Sequence, residues 1–445
     1  MALTRADAQH FVGRIGCGYT DADVGYFQGR EIDDVVDEVV GLKPTVPGRP
    51  NFYNDGLDPW LEMVNTADWW LNRMVDARWT NRTRSTPSPL VEKLSLFWHG
   101  HFATAFETVE DATLMFDQND LYRRGGLGDF ETLCQQISIG GAMLIYLDNE
   151  TNIAGAEQEN FARELMELFT VGVGSYSEAD VRAMARAWTG HGTVGWIDAE
   201  QRYDGTYRFH SADHDSSAKT IFGLRRNWDG PDTITEICRG VKQQTTARFI
   251  ARKLWRFFVH AAPSTSVVNT IADAFIAGDL QIREAMRALL KHPEFWAPAS
   301  RNALVKSPTE WVVDVARRIG YRFTDGTASW HMHSMGQTLF EPPNVGGWGS
   351  NKYWLSTATA WGRAHWVGNI QWSIVEAGFL DELHELDTEA GLDLLLRTFG
   401  LTTASRQTRH RVGDWYRTTA DSYDDWSLPT GGVILASLVP EFQVV

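Results

Sequence analysis

The stretch Ser307-Pro308-Thr309-Glu310-Trp311-Val312-Val313-Asp314-Val315-Ala316-Arg317-Arg318-Ile319-Gly320 decides the fold class. Ser307 can accept a hydrogen bond from an unpaired N–H of a first helical turn, and Pro308 sits where its missing donor costs nothing. Glu310 then reaches back at the third position. Trp311, Val312, Val315 and Ile319 form an apolar stripe at the 3.6 period, and Gly320 ends it. Ser177-Glu178-Ala179-Asp180 repeats the pattern, with Val181, Met184, Ala185 and Trp188 on one face and Gly190 after the end. The same period predicts helices over 58–77, 90–98, 130–139, 158–171, 245–259, 267–276 and 282–290. Strand alternation is weak, and 201–209 is the best stretch for a short hairpin.

Three segments interrupt the helices. Residues 43–58 hold Pro44, Pro47 and Pro50, residues 190–230 are rich in Gly, His and Asp, and residues 341–353 read EPPNVGGWGSNKY. Long ordered loops in a compact protein are more often functional than idle. The expected architecture is mainly α: one large multi-helix unit over 1–445, with long ordered loops and at most a short β-hairpin. Sub-lobes 1–190 and 230–445 are a possible subdivision, joined by the irregular 190–230 segment.

Composition narrows the function. Acids outnumber bases 57 to 41, giving a net charge of −16 with no clustered basic run, which argues against nucleic acid as a partner. No stretch has the ~18 apolar residues of a membrane span. The start MALTRADAQHFVGR lacks an apolar secretory segment. Cys17, Cys134 and Cys238 form no CxxC and read as reduced core residues, so a cytoplasmic protein is expected. The 19 Trp imply a thick aromatic core, or failing that an aromatic-lined cleft.

Four clusters could carry chemistry. In Trp98-His99-Gly100-His101-Phe102, residues two apart on a helix point some 200° from each other. If Gly100 breaks the helix, both imidazoles turn inward together as metal ligands. The alternative is two core histidines held by backbone carbonyls. On the 158–171 helix, Asn160, Arg163, Glu164 and Glu167 fall at i, i+3, i+4 and i+7, one polar face in which Arg163 pairs with a carboxylate. Just before it, Asp148, Glu150, Asn152 and Glu159 match a calcium loop in spacing at positions 1, 3, 5 and 12, but Ile153 occupies the position that needs Gly, and an Asn-rich turn is the simpler reading. His214-Asp215 adjoin in a loop, as a ligand pair or as a base with an orienting acid. In Met335–Trp348, glycines permit close backbone approach, so that Asn344 and Trp348 can line a cleft. HExxH, GxxxxGK[ST], GxSxG and strand-GxGxxG-helix signatures are all missing.

Taken in order, these pieces resemble the domain-of-unknown-function 1800 family. The resemblance rests on Gln9-His10-Phe11, Gly16-Cys17-Gly18, FWHGHFAT (97–104), YLDN (146–149) and ENFARELMELFTVGVGSYSEADV (159–181). It continues through Trp188-Thr189-Gly190, His214-Asp215 with KTIFG (219–223), FIARKLWRFFV (249–259), KSPTEWV (306–312), MGQTLFEPPNVGGW (335–348) and VPEFQ (439–443). The turn after Thr189 departs from the family's Gly-Trp, reading Gly190-His191. Many relatives look like exported proteins with a twin-arginine-type leader, which this start does not resemble. The resemblance also implies a protein partner related to the alkaline-phosphatase and sulfatase group.

The residues together suggest a metal-dependent enzyme, most simply a hydrolase acting on a small polar or sugar-like substrate. His99, His101 and Glu164 would bind a divalent ion, zinc or iron rather than calcium, leaving an open position for water. His214 would be a fourth ligand or general base oriented by Asp215. Arg163 and Glu167 complete the catalytic set, and Asn160, Asn344 and Trp348 would bind substrate. Two alternatives stand beside this: an iron-dependent oxidoreductase on the same ligands, and a non-catalytic binding or assembly protein whose polar cluster is structural.

Overall fold

Both capping signals form. In the computed structural model, which describes residues 2–45, 48, 50, 58–197, 202–370, 378–420 and 427–445, the chain is mainly helical. The helices that position the regions of interest are α1 (Pro59–Asp76), α2 (Pro89–His101), α3 (Asn160–Glu164), α4 (Glu178–Ala187), α5 (Gly230–Arg239), α6 (Gln243–Phe258) and α7 (Pro308–Ile319). At α7 the Glu310 N–H donates to Ser307 Oγ at 3.3 Å and the Ser307 N–H donates to the Glu310 carboxylate at 2.8 Å. Gly320 closes that helix in the left-handed region at φ +74°.

Two helix readings need correction. The helix α2 does not break at Gly100 but runs through it to His101. The expected 158–171 helix is split: α3 is followed by a π-helical turn over Leu165–Thr170. The hairpin lies earlier than read, pairing β1 (His191–Ile197) with β2 (Arg202–Phe209) antiparallel, in register from His191↔Phe209 to Ile197↔Arg202. A second small hairpin joins β3 (Lys219–Ile221) to β4 (Leu224–Arg226). The segment expected to be irregular is thus built largely of short strands. Gln201, Pro47 and residues 51–57 lie outside the described residues.

Side chains divide into two apolar cores, and each draws on sequence from both sides of residues 190–230. The first includes Phe11, Trp98, Trp188 and Trp255; the second includes Trp70, Trp311 and Trp366. Tyr146 and Phe257 pack against both, so the cores form one globular unit. The buried tryptophans satisfy their N–H groups where a partner is in reach: Trp98 donates to Gly126 O at 3.0 Å, Trp188 to Thr233 Oγ1 at 3.1 Å and Trp311 to Ser437 O at 3.1 Å. Among the described residues no helix is long and apolar enough to cross a membrane.

Candidate functional site

The π-helical turn after α3 sets the site. The N–H groups of Val171 and Gly172 both donate to Met166 O, at 3.0 and 2.9 Å. The carbonyls near the helix end are left for side chains, as at any helix C-terminus. Lys253 Nζ takes Leu168 O at 3.1 Å, and His101 Nε2 takes Phe169 O at 3.0 Å. A carbonyl only accepts, so His101 carries its proton on Nε2 and presents a lone pair on Nδ1. That buried Nδ1 has no hydrogen-bond partner among the described residues. Burial, reinforced by the nearby Lys253 charge, drives the His101 pKa well below the ordinary 6.5, so the ring stays neutral.

His101 and Lys253 open onto a cleft of about 250 Å³ whose polar lining also includes Ser307, Glu310 and Gln337, with Trp348 as an aromatic wall. Burial lowers the Lys253 pKa from 10.5 to about 8, and Lys253 forms no ion pair with a described carboxylate. Glu310 is already neutralised by an ion pair with the buried Lys93. Gln337 accepts through Oε1 from Thr309 N at 3.0 Å and Thr309 Oγ1 at 2.9 Å, which leaves its amide group as a donor. Trp348 lies 5.1 Å from the His99 ring, centroid to centroid. The loop carrying it approaches α2 backbone to backbone, since a Cβ on Gly347 would stand 2.2 Å from Gly100 O.

The residues expected to share an ion are placed differently. His99 Nε2 accepts from Phe340 N–H at 3.0 Å, so that lone pair is used, on a different side of the helix from His101. An unbroken helix keeps i and i+2 apart, and Gly100 does not release them. Glu164 is half-buried, its pKa raised by burial and by the neighbouring Glu167. His99, His101 and Glu164 therefore do not form a convergent ligand set here. Among the described residues only His191, His214 and Asp229 bring three ligand atoms within 4.8 Å of one another.

Other expected residues have local tasks. Arg163 does pair with carboxylates: it clamps Glu178 with both terminal nitrogens, at 2.8 and 2.9 Å, and reaches Glu159 at 2.9 Å. Glu167 accepts from the Tyr176 hydroxyl, and Asn160 donates to Asp148 at 3.1 Å. Asn344 is exposed and closes its own turn, accepting from Gly346 N at 2.8 Å, so Trp348 alone of the three expected substrate-binding residues lines the cleft. Asp215 does not orient His214. It takes Arg186 at 2.7 Å, while His214 Nδ1 donates to Thr189 O at 2.9 Å. Asn149 and Asn152 turn inward to the Trp188, His191 and Ala185 carbonyls, as a turn rather than a calcium loop requires.

Sequence reasoning missed Lys253 and Gln337 in the cleft, and His191 and Asp229 beside His214. Lys253 and Gln337 lie in FIARKLWRFFV and MGQTLFEPPNVGGW, stretches that carry the family resemblance, and that was the signal to follow.

Four such stretches, 97–104, 249–259, 306–312 and 335–348, converge on this one cleft. The chain belongs to the family described as Protein of unknown function (DUF1800), whose model matches residues 10–444. No curated protein and no solved structure matches it. Membership accounts for nearly the whole chain and names no activity.

Proposed function

We propose that this chain is an enzyme, most simply a hydrolase, acting on a small polar or sugar-like substrate that carries a negative charge and binds in the cleft over His101. The observation that carries the reading is the pairing, on one cleft wall, of a neutral imidazole with an unused Nδ1 and a desolvated ammonium that has no carboxylate partner. The helix end supplies roughly half a negative charge to Lys253, and a substrate carboxylate or phosphate would supply the rest. In this reading Trp348 stacks on an apolar sugar face and Gln337 donates to a hydroxyl. His101 Nδ1 accepts a proton from water or a substrate hydroxyl, and Lys253, with its pKa near 8, returns one to the leaving oxygen. The free, buried cysteines fit a reducing compartment, the cytoplasm.

Thermal-shift measurements with phosphorylated and carboxylated monosaccharides test this. At least one should raise the melting temperature of the native chain, and Lys253→Met and Trp348→Ala should each abolish the rise. An undiminished shift in Lys253→Met, or no shift with any acidic sugar, would sink the proposal.

The assembly reading has one observation of its own. Arg248 and Arg252 are exposed one turn apart on α6 and form no ion pair among the described residues, in a chain of net charge −16. An acidic partner, such as an alkaline-phosphatase-like protein, would dock there. Co-purification of such a partner, lost in the double variant Arg248→Glu/Arg252→Glu, would favour it.

A further inference from the structure

The segment 189–230 holds a polar cluster outside the cleft. Gly190 starts it at φ +76°, and a Cβ there would stand 2.5 Å from His210 O and 3.2 Å from His214 N. Only glycine lets the two chain segments cross this closely. The crossing is pinned by Gly190 N donating to Asn152 O at 2.8 Å and His210 N donating to Gly190 O at 2.7 Å. The rings of His191 and His214 are thereby set 6.2 Å apart at 87°. Asp229, the N-cap of α5, enters from the other side. Its Oδ1 accepts from Gly230 N at 2.6 Å and lies 2.7 Å from His191 Nε2.

We propose that His191, His214 and Asp229 form a binding site for one divalent transition-metal ion of the zinc class, held by two imidazole nitrogens and one carboxylate oxygen. The ion expected from the sequence at His99, His101 and Glu164 thus finds its three convergent donors here.

Each imidazole already has the partner on its second nitrogen that an oriented metal ligand needs. His214 Nδ1 donates to Thr189 O at 2.9 Å, which leaves Nε2 as the nitrogen with a lone pair. His191 Nδ1 lies 3.0 Å from the Tyr207 hydroxyl. Without an ion, His191 Nε2–H donates to Asp229 and the tyrosine donates to Nδ1. With an ion, Nε2 ligates, Nδ1 carries the proton and the tyrosine oxygen accepts it. One hydroxyl serves both tautomers because it can donate or accept.

The dimensions agree. Zinc bonds of about 2.0–2.1 Å in a tetrahedron put ligand atoms roughly 3.3 Å apart. The nearest pair is now at 2.7 Å and no pair exceeds 4.8 Å, so small side-chain rotations close the shell. His191 is buried, whereas the Asp229 side chain is 50% exposed, which gives an ion a way in and a water the fourth position. Two imidazoles select against calcium and magnesium, which prefer all-oxygen shells.

Calorimetric titration of Zn²⁺ into chelator-treated full-length protein is the test. One ion per chain with micromolar or tighter affinity is expected, and Ca²⁺ at the same concentrations should give no heat. His214→Ala should weaken binding by ~100-fold and Tyr207→Phe by about tenfold. Asp229→Asn keeps a competent N-cap, so it guards against a variant that merely misfolds. It should keep its melting temperature and still lose at least tenfold in affinity. No zinc binding by the native chain, or binding unchanged in both His214→Ala and Asp229→Asn, overturns the site.

Discussion

Lys253 and His101 cap the same helix end, one on the Leu168 carbonyl and the other on the carbonyl next to it, Phe169, at 3.1 and 3.0 Å. Burial is the main cause that sets the protonation state of each. The imidazole stays neutral, and the ammonium loses its proton near pH 8. An acidic ligand in the cleft should bind about tenfold more weakly at pH 9 than at pH 7, since each unit above the pKa removes about nine-tenths of the remaining cation. In Lys253→Arg the charge persists and the profile should flatten. Affinities measured across this range decide the matter, and a flat native profile would remove Lys253 as the counter-ion.

Gly347 should be irreplaceable for packing. Its φ of +78° disfavours any side chain, and a Cβ would collide with the α2 backbone at Gly100. Gly347→Ala should cost about 2 kcal/mol or more, from the left-handed penalty and the displaced loop together. Urea denaturation at pH 7 checks this. A cost below ~0.5 kcal/mol, the range of an ordinary surface change, would mean that the loop yields freely.

Asp314 is fully buried between Lys306, at 2.7 Å, and Arg318, at 2.8 Å. Burial alone would raise its pKa, but the two cations win and hold it at about 2 against an ordinary 3.8. A carboxylate depressed in the folded state stabilises above its unfolded pKa and loses that contribution as pH falls toward the folded value. Stability should fall by on the order of 2 kcal/mol from this group between about pH 5 and pH 2. Asp314→Ala should cost ~3–5 kcal/mol at pH 7 by stranding two buried cations. Chemical denaturation at pH 7, 4 and 2.5 reads both effects, and a variant near native stability would contradict them.

Glu341 behaves in the opposite sense. Burial raises its pKa from 4.5 to about 7, with the Glu107 N–H bond at 3.0 Å only partly offsetting this. The folded state holds this proton more tightly than the unfolded state, so stability drains away as pH rises from about 4.5 through 7. Glu341→Gln keeps the acceptor oxygen and removes the charge. It should be more stable than the native chain at pH 8 and indistinguishable from it at pH 4.5. Melting curves at the two values test the difference, and a variant less stable at pH 8 would refute it.

Local signals were legible wherever one turn of chain decides the outcome. The boxes at Ser177 and Ser307 and the glycine stop at Gly320 need only neighbouring residues, and all formed as read. What could not be read depends on partners far away in sequence. Gly100 looks like a helix breaker, yet α2 runs through it, and its carbonyl is the surface that Gly347 approaches closely. His191, a strand residue, and Asp229, a helix cap, meet although they are 38 residues apart in the chain. Lys253 is one of several cations on α6, with Arg248, Arg252 and Arg256, and only the carbonyl of Leu168, distant in sequence, sets it apart.

The wide turn at Leu165–Thr170 makes the cleft sensitive to chain length itself. A π turn contains one residue more than the regular spiral would use, so excising a single residue there would restore ordinary winding. The rest of the helix would rotate by about 100°, one residue's share of a 3.6-residue turn. Both carbonyl anchors would swing away from Lys253 and His101 in one event. A relative that lacks that residue would keep the fold while its imidazole and ammonium lost both carbonyl anchors, so this arrangement is separated from its loss by one codon rather than by a series of substitutions.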